Sequence, residues 1–367
     1  MRIRGAVLDA MSTETPYAES HPLSIRVLEA ASPGPTECVV RIEAAGVCHS
    51  DLSVVDGTRP RPTPMLLGHE ASGVVVEKGT AVSGLDIGDR VVMTFLPRCG
   101  ECRGCRSEGR MPCELGSASN GAGELFAGGS RLRDGDTVVY HHLGVSAFAD
   151  YAVVDMRSLV RVPDDVPADV AALLGCAVLT GGGAVWNAAR PEPGSRLAVI
   201  GFGGVGAAAM LTALAEADIE VVVVDPVQEK RDLAVRMGAM RALSPDEAID
   251  EGMRADAVIE ASGTPAGLQV GIGMLAMGGT LVATGLAAPS ATVPLPALRL
   301  VGEALTIRGS YLGSSVPSRD IPRFVDLWRE GRLPLERLVS HRIDLDDVNG
   351  ALDRLAAGAA LRQVITP

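Results

Sequence analysis

Positive charge is scarce in this chain: 33 basic residues face 45 acidic ones, a formal charge of -12, and only Lys78 and Lys230 are lysines. A balance of that sign repels a phosphate backbone and excludes nucleic acid as a main partner. The first twenty residues lack the apolar run of a secretory leader, so a cytoplasmic setting is expected. Repeats and low-complexity tracts are also missing. Two uncharged stretches, Val170 to Ala189 and Leu197 to Ala215, are long enough to raise a membrane span, but Gly181-Gly182-Gly183 and Gly201-Phe202-Gly203-Gly204-Val205-Gly206 punctuate them as strand, turn and helix. With no secretory context, the seven cysteines point to metal rather than to a disulfide framework.

At 367 residues the chain is longer than one core usually serves, and two domains are expected. Up to about residue 160, segments with alternating polarity separated by Gly, Pro and Asp turns read as strands: Leu23 to Leu28, Cys38 to Ala44, Ala71 to Glu77 and Arg90 to Thr94. Cys38 shares the inward face of its strand with Val40 and Ile42, so a buried, inert thiol is expected there. From about Val170, apolar strands alternate with Ala- and Leu-rich helices: Leu197 to Ile200, Glu220 to Val224, Ala257 to Glu260, Thr280 to Thr284 and Thr306 to Arg308. The expected class is α/β, a mostly antiparallel β domain followed by a parallel sheet wrapped by helices. Past Pro317, a helical segment over Asp347 to Ala357 and a short strand, Gln363 to Ile365, are expected to pack back on the first domain. Gly116 to Gly129 reads as a long polar loop.

Chemistry concentrates in Gly46-Val47-Cys48-His49-Ser50-Asp51 and Gly68-His69-Glu70, which supply a thiolate, imidazoles, two carboxylates and a hydroxyl. Cys48 and His69 form a weak pair without a third donor. Cys176, in Gly175-Cys176-Ala177-Val178-Leu179-Thr180-Gly181, stands where the first domain gives way to the second. Two thiolates and one imidazole with a fourth position open describe a catalytic zinc site; the alternative is a buried Cys176 beside an unrelated surface His69. Cys99, Cys102, Cys105 and Cys113, in RCGECRGCRSEGRMPC, are spaced to close a tetrahedral shell as a structural zinc lobe, with an iron–sulfur or redox cluster as the alternative. The glycine run 201–206 follows an apolar strand and opens a helix over Val205 to Ala217; the next strand then ends at Asp225. Such glycines admit a dinucleotide pyrophosphate at the helix N-terminus, while Asp225 accepts from a ribose 2'-hydroxyl and repels a 2'-phosphate. The alternative is a strand–helix turn with no ligand.

In this order GVCHSD at 46–51, GHE at 68–70, the Cys99 to Cys113 lobe, GCAVLTG at 175–181, GFGGVG at 201–206 and Arg362 resemble the zinc-dependent alcohol dehydrogenases of the medium-chain dehydrogenase/reductase superfamily. VVYHHLGVSAFADYAVV at 138–154 is similar to the long-loop branch that holds the animal-type and the thiol-dependent formaldehyde enzymes. The resemblance, over essentially the whole chain, implies a GroES-like catalytic domain of residues 1–177 and 312–367, with a Rossmann domain of residues 178–311. It implies two zinc ions per subunit, a catalytic one on Cys48, His69 and Cys176 and a structural one on Cys99, Cys102, Cys105 and Cys113. Asp51 would orient His69, and Glu70 would sit close behind the metal. NAD would meet His49, Thr180, Gly201, Gly203, Gly204, Val205, Gly206, Asp225, Lys230 and Arg362. Ser50, Phe95, His142, Leu143, Leu286 and Tyr311 would surround the substrate.

By the same resemblance zinc acts as a Lewis acid on an alcohol, Ser50 takes the first proton and a hydride passes to the nicotinamide. Ser50, His49 and Glu70 are thus the candidate catalytic residues. Many relatives carry a histidine three residues beyond that hydroxyl to relay the proton to solvent; Ser53 stands there in this chain. The expected reaction is NAD-dependent oxidation of a primary alcohol, aromatic or medium-chain, or the reverse. The alternative is oxidation of a formaldehyde–thiol adduct, with Arg59, Arg61 and Arg110 as candidate holders of the thiol's carboxylates. A homo-oligomer is implied, a dimer joined through the strand near Leu305 to Tyr311, with neither nucleic acid nor membrane as partner.

Overall fold

Residues 37–47, ECVVRIEAAGV, carry apolar side chains on both faces, and in the computed structural model, which describes residues 1–216 and 218–367, they form one long strand, Glu37–Val47. Cys38, Val40 and Ile42 enter a core with Met65, Val91 and Phe148, while Val39 turns to the opposite face and packs with Ile3, Leu66 and Leu125. Burial pushes the Cys38 thiol up to about 11, as an inert core residue requires. A strand buried on both faces also needs partners on both edges. Ala71–Lys78 and Tyr151–Asp155 pair antiparallel along it, and the terminal strand Arg362–Ile365 joins its Ala45–Val47 end. These belong to a seven-stranded sheet; Arg2–Leu8, Leu23–Ala30, Leu132–Asp134, Thr137–His141 and Met65–Leu66 close a separate barrel.

By contact the chain divides into a first unit, Met1–Ser107, Pro112–Cys176 and Val339–Pro367, and a second, Glu108–Met111 and Ala177–Leu338. The tail therefore returns to the first unit only from Val339. Residues 312–338, expected with the first domain, pack within the second unit: Phe324 stacks on Trp186 at 4.2 Å, Arg323 lies 4.2 Å over the same indole ring, and Asp320 accepts from Asn187 at 3.2 Å.

The second unit holds a six-stranded parallel sheet whose order is third, second, first, fourth, fifth, sixth counted along the chain: Arg241–Leu243, Glu220–Val224, Arg196–Ile200, Ala255–Glu260, Leu275–Ala283 and Thr306–Gly309. Its strands are apolar because helices cover both faces. Val222, Val224, Ala198, Ile200 and Val258 share one core. The helix expected over Val205 to Ala217 runs Gly204–Ala215; Ala217 lies outside the described residues. The helical stretch Ala168–Ala189 is 22 residues long and apolar enough to cross a membrane, yet 89% of its most apolar window is buried inside the protein.

The segment read as a polar loop, Gly116 to Gly129, is helical over its first half, within helix Glu114–Ala122. Its Gly, Ser and Asn residues are weak helix formers, and the start is held by an unusual cap, the Cys113 sulfur accepting from the Gly116 N–H at 3.4 Å.

Candidate active site

Cys48 is the N-cap of helix His49–Val55, which places Asp51 one turn in. One Asp51 oxygen accepts from the Cys48 N–H at 2.9 Å, and the other lies 2.9 Å from His69 Nδ1. The Cys-x-x-Asp spacing thus lets one carboxylate cap the helix and aim the imidazole. With Nδ1 occupied, His69 has Nε2 left for another partner. Cys176 arrives on a wide helical turn, Leu174–Val178, a form that recurs at functional sites. Gly175 lets that turn approach the first unit's sheet, since a Cβ there would sit 2.2 Å from the Met93 carbonyl oxygen.

The outcome is a buried cluster, Cys48, His69, Glu70 and Cys176, with one donor atom of each within 4.8 Å of all the others. Two thiols and an imidazole are donors suited to zinc. The Cys176 hydrogen bond, aided by Arg362 and His69 against burial, holds the Cys48 thiol well below its usual range; the same bond and burial push Cys176 well above it. Burial opposes charge on His69, but Asp51 and Cys48 outweigh it and lift the imidazole to about 10. Burial likewise opposes ionisation of Asp51, and His69 with His142 overcomes it, holding the carboxyl at about 2.

His142 was expected beside the substrate. It is 1% exposed, its Nδ1 stands 3.2 Å from the Asp51 oxygen that faces His69 but lacks hydrogen-bond geometry, and the two imidazoles meet edge to face at 5.2 Å. Burial lowers its pKa, and the nearby Arg61 charge acts in the same direction. Phe95 lies edge-on to His69 at 5.7 Å and is held from behind by Asn120, whose Nδ2 donates to the Phe95 carbonyl at 2.6 Å. Asn120 carries no local signal of this role, since nothing in the pattern links it to a residue 25 positions earlier. Leu143 is 7% exposed with φ +52°. Ser50 is half-buried and His49 is exposed at the start of the helix. Ser53 donates its hydroxyl proton to the His49 carbonyl at 2.9 Å. Arg362, expected at the cofactor, is 3% exposed, with Nη2 3.6 Å from Glu70 Oε2 and Nη1 3.4 Å from the Val47 carbonyl.

The four remaining site cysteines also come together, all within 4.8 Å. Cys99 and Cys105 Sγ are 3.7 Å apart, and Cys102 and Cys113 Sγ 3.9 Å. A tetrahedral zinc site with bonds of about 2.3 Å has sulfur–sulfur edges of about 3.8 Å, so the spacing fits that ion. Backbone N–H groups of Cys102, Cys105 and Cys99 point at Cys99, Cys102 and Cys113 sulfurs, respectively, at 3.3 to 3.4 Å. The Glu114 and Cys105 N–H groups hold the Cys102 thiol at about 6. All seven cysteines are free of disulfides.

In the second unit, Gly201 and Gly203 lie in the turn after strand Arg196–Ile200, and Gly204, Val205 and Gly206 open helix Gly204–Ala215. Gly206 packs against the turn itself: a Cβ would lie 1.9 Å from the Gly201 carbonyl oxygen. Asp225 is 4% exposed, and its two oxygens accept from the Phe202 and Val227 N–H groups at 2.7 and 2.9 Å. Lys230 lies half-buried on helix Gln228–Met237, Thr180 is buried, Val205 and Tyr311 are half-buried, and Leu286 is 50% exposed.

Two family models match the chain: the alcohol dehydrogenase GroES-like domain over residues 34–164 and the zinc-binding dehydrogenase domain over residues 204–330. A putative alcohol dehydrogenase D of Mycobacterium tuberculosis is 37% identical over 359 residues, covering 95% of this chain and 97% of its own. The chain belongs to the zinc-dependent medium-chain alcohol dehydrogenases. The geraniol dehydrogenase of Castellaniella defragrans is 36% identical, with 94% of each chain covered. Among solved structures, benzyl alcohol dehydrogenase from Acinetobacter calcoaceticus superposes with a TM-score of 0.90 at 30% identity, covering 100% of this chain and 99% of its own. This dehydrogenase is accordingly an enzyme of alcohol and aldehyde oxidoreduction, with a GroES-like domain and a Rossmann-type coenzyme domain.

Proposed function

We propose that this dehydrogenase oxidises a primary alcohol, aromatic or medium-chain, with NAD, using a catalytic zinc on Cys48, His69 and Cys176 and a structural zinc on Cys99, Cys102, Cys105 and Cys113. The observation that carries this is the buried Cys48–His69–Cys176 cluster with Asp51 on the far side of the imidazole. Bound zinc would supply Lewis acidity toward the substrate oxygen, and NAD would supply the hydride acceptor. The protein's residues do the rest. Asp51 fixes His69 in the tautomer whose Nε2 is a donor to metal. Ser50 takes the alcohol proton, Phe95 gives the substrate an apolar wall, and Arg362 balances the charge of Glu70 and the cysteines. The fixed carboxylate of Asp225 supports NAD over its 2'-phosphorylated form. The same reading takes the enzyme to be a cytoplasmic homodimer. Its support is the edge strand Thr306–Gly309, paired on one side only, with Met277, Leu298 and Val301 exposed at 80%, 88% and 80% in the same unit.

The test is the initial rate of NAD reduction with benzyl alcohol and no added thiol. A chelator-sensitive rate is expected, well above that with NADP. Cys176→Ser should lower it by more than about 100-fold, the upper range for loss of a supporting partner alone. A near-normal rate in that variant removes Cys176 from the ligand set, and a rate that appears only with an added thiol replaces the simple alcohol by a thiol adduct.

A further inference from the structure

Arg59 leaves the helix that carries Ser50 and has no part in holding metal. Its backbone N–H donates to the Ser53 carbonyl at 2.8 Å, which pins the loop against that helix, and its Nη2 reaches the Ser50 carbonyl at a weak 3.5 Å. The side chain is half-buried, its Nε is buried with no hydrogen-bond partner, and among the described residues no carboxylate pairs with it. Three other half-buried arginines of this unit each meet a carboxylate, Arg90 with Glu43, Arg131 with Glu37 and Arg157 with Asp155. In a chain with 45 acidic residues, an unmatched guanidinium drawn out of water is costly unless an acceptor arrives from outside. Its surroundings are polar as well. Arg61 Nη1 donates to the Asn120 carbonyl at 3.2 Å, and the Asn120 side chain, with Oδ1 buried and unpartnered, is the one that holds Phe95.

We propose that Arg59 is a specificity-determining residue of the alcohol site: its guanidinium receives a carboxylate carried on the substrate away from the reacting carbon. The substrate class is then a hydroxymethyl- or formyl-bearing carboxylic acid. A planar fork of donors matches a carboxylate's two oxygens, and a lysine there would offer a point charge instead. The inference rests on the alcohol dehydrogenase reading of the Ser50 site given above.

The experiment compares 4-(hydroxymethyl)benzoate with its methyl ester, a neutral substrate of similar shape, in the zinc-loaded wild type and in Arg59→Met, Arg59→Gln and Arg59→Lys. The wild type is expected to favour the carboxylate in kcat/KM by about tenfold or more, since a site built for a charged acceptor rejects its neutral analogue. That ratio should fall toward one in Arg59→Met and Arg59→Gln and be partly kept in Arg59→Lys. Calorimetric titration of 4-methylbenzoate against 4-methylbenzamide reads the same contact without turnover. No preference in the wild type, or one unchanged in the Met and Gln variants, overturns the role of Arg59. Oxidation of neither alcohol would instead sink the dehydrogenase reading, and the titration would still decide whether Arg59 binds the carboxylate.

Discussion

A single carboxylate, Asp51, accepts from the Cys48 N–H with one oxygen and faces both His69 and His142 with the other. In the metal-free protein this gives a definite pH dependence. His69 is lifted from 6.5 to about 10, so its contribution to stability is full below about 6.5 and is lost as pH rises through about 10. Asp51 is lowered from 3.8 to about 2, so its contribution is present above 3.8 and is lost as pH falls through about 2. Both hold fully between about pH 3.8 and 6.5. Calorimetric melting of the metal-free enzyme should therefore show a midpoint that declines from pH 6.5 to 9, and Asp51→Asn should flatten that decline; equal slopes would refute the coupling. Zinc acts in the opposite sense, because its ligands must be deprotonated, and loading should release protons and tighten as pH rises. Ser53 supplies a second prediction at this scale. Its hydroxyl is spent on the His49 carbonyl, so it does not carry the Ser50 proton onward. Added imidazole should raise the alcohol oxidation rate several-fold above that in a non-basic buffer of equal pH, and no response would show that the exit is complete without it.

Among the elements, the cysteine lobe and helix Glu114–Ala122 depend on one another, since the Cys113 sulfur serves both as a member of the cluster and as the helix cap. Cys102→Ser should yield a protein with one metal equivalent fewer by elemental analysis and a melting temperature lower by about 5–10 °C. Full metal content in that variant would dissociate the lobe from zinc. The lobe was legible in the sequence because its four sulfurs lie within 15 residues and local spacing alone brings them together. The strands of the second unit were legible for a similar reason: their apolar runs name themselves, as in Glu220–Val224. Helix Glu114–Ala122 was not, because its residues are poor helix formers and its cap is a sulfur. Neither was the meeting of His142 with Asp51, which depends on how strand Thr137–His141 and helix His49–Val55 pack rather than on any pattern within either.

For the molecule as a whole, the exposed apolar side chains of Met277, Leu298 and Val301, in a unit that also carries an open sheet edge, predict association. Sedimentation should give a dimer for the wild type, and Leu298→Glu should weaken it by at least about tenfold, through burial of an unpaired charge. A monomer at micromolar concentration in the wild type would refute the arrangement. The terminal strand has a consequence of another kind, for how the enzyme is made. Strand Glu37–Val47 emerges early, but its partner Arg362–Ile365 follows only some 315 residues later, with the guanidinium that faces Glu70. At ordinary rates of synthesis that interval is about 15 to 60 s. The unit begun first is thus completed last, and through that wait the nascent chain presents the unpaired Ala45–Val47 edge and a Glu70 without its guanidinium, so protection of an open strand edge is a demand built into its topology.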